Sequence, residues 1–119
     1  MSKSLLLISR QSPWSGPGAR EALDIALAGG AYDLPISVLY LDDGVFQLVD
    51  QNAARLQQKD LTANLKALPL FGVEALYACA TSLAERGLTD ARLGVEPLRI
   101  IDDTEITALI DHHDHVITL

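Results

Sequence analysis

Cysteine occurs once in this chain of 119 residues, at Cys79, which excludes an internal disulfide framework and fits a reducing compartment. Basic residues are scarce as well: nine lysines and arginines stand against sixteen acids, for a formal net charge of −7, and none of them form a run. Affinity for a phosphate backbone comes largely from clustered positive charge, so direct nucleic-acid binding is disfavoured, and any RNA involved would be held by another protein. Long apolar runs are missing. No segment approaches the ~20 consecutive apolar residues of a membrane span, and residues 1–8 are too brief for a signal peptide, so a cytoplasmic protein is expected. Also absent are internal repeats, low-complexity tracts, linkers, and the P-loop and G-x-G-x-x-G spacings. With 49% hydrophobic and 21% charged residues, the chain can form one domain over 1–119 around one core.

What is present alternates short apolar runs with helical stretches, the pattern of an α/β unit. Strands are expected at residues 4–9, 36–41, 73–79, 97–101 and 116–119. The first two are continuously apolar, as in parallel strands covered on both faces. A first helix is expected from Pro17 to about Ala28, with proline at its first position and Gly29 and Gly30 just beyond its end. Ala19, Ala22, Leu23, Ala26 and Leu27 share its sheet-facing stripe. A last helix begins near Asp103, where Asp102 and Glu105 resemble a capping box and Ile106, Leu109 and Ile110 form the apolar stripe. The connection between the second and third strands spans roughly thirty residues, too long to lack structure of its own. Helical pieces are expected at residues 45–49 and 61–68. The apolar tips around Phe46 and Leu48, and around Leu70 and Phe71, either close over the core or dock on another subunit.

Four places carry side chains capable of chemistry. Asp42, Asp43 and Gly44 follow the second strand, where open α/β folds place ligands; capping of the following helix is favoured over metal binding. Asp111, His112, His113, Asp114 and His115 are dense in metal-capable groups, but neighbours on one element do not face one another, and a solvated helix end is the favoured reading. The loop at residues 10–18 has hydroxyls and glycines before a helix, yet Pro17 removes a donor that a phosphate cradle would use, so a structural turn is expected. Cys79 closes the third strand ahead of a short helix, residues 81–87. A helix N-terminus contributes only about 0.3–1 kcal/mol to a nearby anion, and Ser82 and Glu85 fit a capping box that would start the helix after Cys79, so thiol activation is not assured. A buried small hydrophobe and a reactive thiol are both compatible with this position.

Taken together, Asp42-Asp43-Gly44-Val45-Phe46-Gln47-Leu48, the stretch from Cys79 to Leu88 and the ending from Asp114 to Leu119 resemble the DsrE/DsrF-like family of bacterial sulfur-transfer proteins, and within it the DsrF-like subunit type. The resemblance runs along essentially the whole chain. It implies a three-layer α/β/α domain with a five-stranded parallel sheet, a flavodoxin-like variant, without cofactor or metal. It further implies assembly with TusB-like and TusD-like subunits into a heterohexamer of two heterotrimers. Such a complex passes persulfide sulfur from TusA towards TusE for 2-thiolation of the tRNA wobble uridine. The essential cysteine of the family belongs to the DsrE-like subunit, so this chain is expected to be mainly structural and not itself catalytic. Cys79 matches the position of that cysteine, which leaves a direct persulfide carrier as the alternative. A flavin- or nucleotide-binding module rests on fold analogy alone.

Overall fold

The computed structural model describes residues 4–12, 17–32, 35–48, 67–73, 75–88 and 98–119. Five short apolar runs form strands: β1 (Leu5–Ser9), β2 (Ile36–Tyr40), β3 (Ala75–Cys79), β4 (Arg99–Ile101) and β5 (His115–Thr118). They pair in the order β4-β3-β2-β1-β5, every neighbour parallel. The chain steps one way across the sheet from β1 to β4 and then returns to place β5 beside β1. With right-handed crossovers, the last connection therefore lies on the opposite face from the others.

The packing follows this division. Register aligns Leu7 with Val38 and Leu76 on one face, and there the helix α1 (Gly18–Ala31) lays Ala19, Ala22, Leu23 and Ala26. The 3-10 segments at Asp42–Leu48 and Leu68–Phe71 add Val45, Leu48 and Leu68, and the short helix α2 (Ala80–Glu85) adds Leu83. On the other face Leu6, Ile8, Leu39 and Ile101 meet Ile106 and Leu109 of the helix α3 (Asp103–Asp111). Burying each such leucine contributes about 1.5–3 kcal/mol.

Several expectations need correction. Gly29 and Gly30 lie inside α1, which continues to Ala31. A glycine inside a helix costs only about 1 kcal/mol, and the buried Gly30 backbone packs against the turn at Gly72. Of the helix expected at residues 61–68, only Ala67 and Leu68 are described, and they cap and open a 3-10 turn. Leu48, expected at an interface tip, is 0% exposed, because the 3-10 turn carries it inward with Val45. Leu70, by contrast, is 86% exposed. Phe46 is partly exposed, and the Phe71 side chain lies outside the described residues. The α3 capping box is present: Asp102 accepts from the Glu105 N–H and Glu105 from the Asp102 N–H.

Among the described residues Tyr40 is the largest fully buried side chain, and its hydroxyl finds no hydrogen-bond partner there. Burial pushes its phenol well above the ordinary value of 10.0. The sign follows: above pH 10.0 the unfolded chain loses this proton while the folded chain keeps it, so stability falls as pH rises towards the folded value. Tyr40→Phe removes both this pH dependence and a hydroxyl that has no partner among the described residues. Denaturant titration should find the variant no less stable at pH 7 and, above pH 10, resistant to up to about 1.4 kcal/mol of loss per pH unit that the parent suffers.

Candidate functional site at the carboxyl end of the sheet

The ends of β1, β2 and β3 bring together Ser9 and Arg10, Asp42 to Gly44, and Cys79 with α2. Cys79 is both the last residue of β3 and the N-cap of α2. Its backbone is extended (φ −77°, ψ 120°), and its Sγ accepts the Ser82 N–H at 3.4 Å. The helix thus begins one residue after the thiol. Ser82 occupies the third helical position instead of the cap, because its hydroxyl is committed elsewhere: Ser82 Oγ accepts the Asp42 N–H at 2.9 Å. Cys79 is 2% exposed.

The two aspartates do not cap as the sequence suggested. Asp42 sits in the left-handed region (φ 53°), and its carboxylate takes Arg10 Nε and Nη2, each at 2.8 Å. Asp43 takes Arg86 Nε at 2.9 Å, while Arg86 Nη1 donates to the Ser82 carbonyl at 3.3 Å. Two ion pairs therefore hold the 42–44 turn between the end of β1 and the end of α2. Arg10, Asp42 and Asp43 are exposed and Arg86 is partly buried, so each pair contributes about 1 kcal/mol or less, with geometry as the main effect. Arg86, the nearest downstream cation, is spent on Asp43 and Ser82 and is not directed at the thiol. Gly44 follows from close approach. A Cβ there would stand 2.0 Å from the Ser9 carbonyl oxygen and 2.8 Å from its carbon.

Beneath this turn Gln47 is 1% exposed and donates through Nε2 to Ser9 Oγ at 2.7 Å and to the Gln11 carbonyl at 2.9 Å. The turn, the β1 end and α2 are thus one hydrogen-bonded unit. Sequence reasoning singled out Cys79, the Asp-Asp-Gly run and the loop that Arg10 opens, but missed the pairing of Arg10 with Asp42, the part played by Ser9 and Gln47, and the role of Ser82. Their signal is only that polar residues stand at three strand ends, and which ends adjoin is a property of strand order.

The histidine cluster lies elsewhere, at the amino end of the sheet. His113 is not a solvated helix end: Nδ1 donates to the Leu109 carbonyl at 2.7 Å, and Nε2 lies 2.9 Å from Ser37 Oγ. It ties the end of α3 to β2. Asp114 accepts the Ser4 N–H at 2.8 Å and aligns β5 with β1. Among the described residues no group of three or more His, Cys, Asp or Glu side chains could hold a metal ion. The 10–18 loop is only partly within the described residues, and no helix among them is long and apolar enough to cross a membrane.

The family model of the DsrE/DsrF-like family matches residues 3–119, and the chain belongs to that family. A protein of Pseudomonas aeruginosa named "Protein TusC homolog" is 62% identical over 120 residues, covering all of both chains. A Vibrio vulnificus protein of the same name is 35% identical over 107 residues, or 89% of this chain and 90% of its own. Within the family the likeness is thus to the TusC, DsrF-like type. The crystal structure of the ychN protein from E. coli superposes over both whole chains with a TM-score of 0.78 at 17% identity, a likeness of fold.

Proposed function

We propose that this chain is a TusC-like, mainly structural subunit of a cytoplasmic complex with TusB-like and TusD-like partners. In this reading the complex relays persulfide sulfur from TusA towards TusE for 2-thiolation of the tRNA wobble uridine. The observation that carries the reading is the 62% identity to a TusC homolog over the full length of both chains. The state of Cys79 supports a structural role: its thiol is buried, it accepts the Ser82 N–H, and the nearby guanidiniums are paired with carboxylates. Thiol exchange needs an accessible thiolate. The net charge of −7 leaves the RNA to other proteins. Phe46 and Leu70 remain proposed contacts with sister subunits.

One observation favours the carrier alternative. The thiol stands at the carboxyl end of β3 and the start of α2, with the Ser82 N–H facing Sγ at 3.4 Å, the place in an open α/β sheet where ligands are handled. The two readings part on Cys79→Ser. The structural reading expects tRNA thiolation in cells carrying the variant at about the parental level, whereas deletion of the chain abolishes it. Loss of thiolation with the variant complex still assembled would make Cys79 a carrier.

A further inference from the structure

Cys79 is buried, and the strand register shows which side of the sheet it faces. It lies opposite Ile101 of β4, and residues opposite one another in a parallel pair share a face. Ile101 belongs with Leu6, Ile8 and Leu39 to the cluster against which α3 packs, so the thiol stands on the α3 face of the sheet and not on the α1 face. The start of α3 is close at hand. Its N-cap, Asp102, directly follows Ile101, and Asp103 accepts a hydrogen bond from Thr81 Oγ1, in the first turn of α2, at 3.4 Å.

The helices on the two faces are held very differently. α1 buries Ala19, Ala22, Leu23 and Ala26 and both of the glycines near its ends, whereas no residue of α3 is fully buried, and Ile106 and Leu109 pack against the sheet only in part. Among the described residues the rest of the hold on α3 is polar and sits at its two ends. Asp103 meets Thr81 at the start, and beyond the last turn His113 joins the Leu109 carbonyl to Ser37 Oγ, at 2.7 and 2.9 Å. The strands on either side of α3, β4 and β5, are the two edges of the sheet, so lifting the helix leaves the pairing of β1, β2 and β3 intact. Elements with few buried apolar contacts open at a free energy well below that of global unfolding. We propose that α3 is a lid over Cys79, released from the sheet as a unit with the His113–Ser37 contact as its clasp. This local opening, not unfolding of the molecule, makes the buried thiol reachable.

The lid is a property of the chain by itself and does not rest on the subunit reading. Cys79 is the single cysteine, so alkylation of the full chain by iodoacetamide at fixed pH reads the exposure of this thiol alone. The parent should react far more slowly than a free thiol, and below the unfolding transition its rate should rise with urea at less than about half the slope of global unfolding. Ser37→Ala removes the clasp and should speed alkylation about two- to tenfold, the span of one lost hydrogen bond. Val38→Ala, on the α1 face, should lower the urea midpoint and leave the alkylation rate at the parental value. Hydrogen exchange should find the α3 amides opening more often than those of α1, with the opening constant that alkylation gives. A rate as steep in urea as global unfolding, raised by Val38→Ala in proportion to the stability lost, overturns the lid, because the thiol is then reached only by unfolding the molecule. Alkylation of the parent at the rate of a free thiol overturns it too, as does a Ser37→Ala rate equal to the parent's.

Discussion

Gly44→Ala should destabilise the protein by about 3 kcal/mol or more, because the added methyl has nowhere to go. Its carbon would lie 2.0 Å from the Ser9 carbonyl oxygen and 3.3 Å from Arg10 Cα, and these are backbone atoms with no rotamer to change. The Ser9 carbonyl cannot retreat freely, since it accepts the Leu41 N–H at 3.0 Å, and the Gly44 N–H is itself bonded to the Leu41 carbonyl at 2.9 Å. Relief must come by moving the whole 42–48 segment, which would pull Asp42 from Ser82 and Gln47 from Ser9. The same substitution should therefore loosen the site around Cys79. Urea unfolding measures the first effect and the rate of thiol alkylation the second. A variant of parental stability would contradict the close approach on which the site geometry depends.

Leu48→Ala is expected to cost about 2–5 kcal/mol, whereas Leu70→Ala should stay within about 0.5 kcal/mol. Both leucines belong to apolar tips of the same excursion from the sheet, and in the sequence they look alike. In the fold Leu48 is 0% exposed and packed with Val45, Leu68 and the α1 stripe, while Leu70 is 86% exposed. Paired urea titrations of the two variants in the isolated chain give the difference. The order should reverse for assembly: Leu70→Ala weakens binding to sister subunits if that tip is a contact, although it leaves the monomer unchanged. Equal costs for the two substitutions in the isolated chain would refute the packing described.

The features legible in the sequence are local ones. The continuous apolar runs of β1 and β2 announce buried parallel strands, and Asp102 with Glu105 announces the start of α3, because in each case the signal and the structure lie within a few residues. The features that are not legible depend on which strand ends adjoin. Ser82 and Glu85 satisfy the capping-box pattern, yet Ser82 lies opposite the 42–44 turn and spends its hydroxyl on Asp42, which leaves Cys79 to cap the helix. Asp42 and Asp43 look like caps until Arg10 and Arg86 stand beside them. His113 looks solvated until the return crossover sets α3 over Ser37. The Gly29-Gly30 pair reads as a helix stop, but its cost inside the helix is modest and the Gly30 backbone lies against the distant turn at Gly72.

The central claim, that this chain is one subunit of a heteromeric sulfur relay, is tested most directly by the native mass of the protein coexpressed with its genomic neighbours. The account predicts an assembly of six chains, two each of this one, a TusB-like and a TusD-like protein. A chain that purifies alone, with neither partner bound, would contradict it.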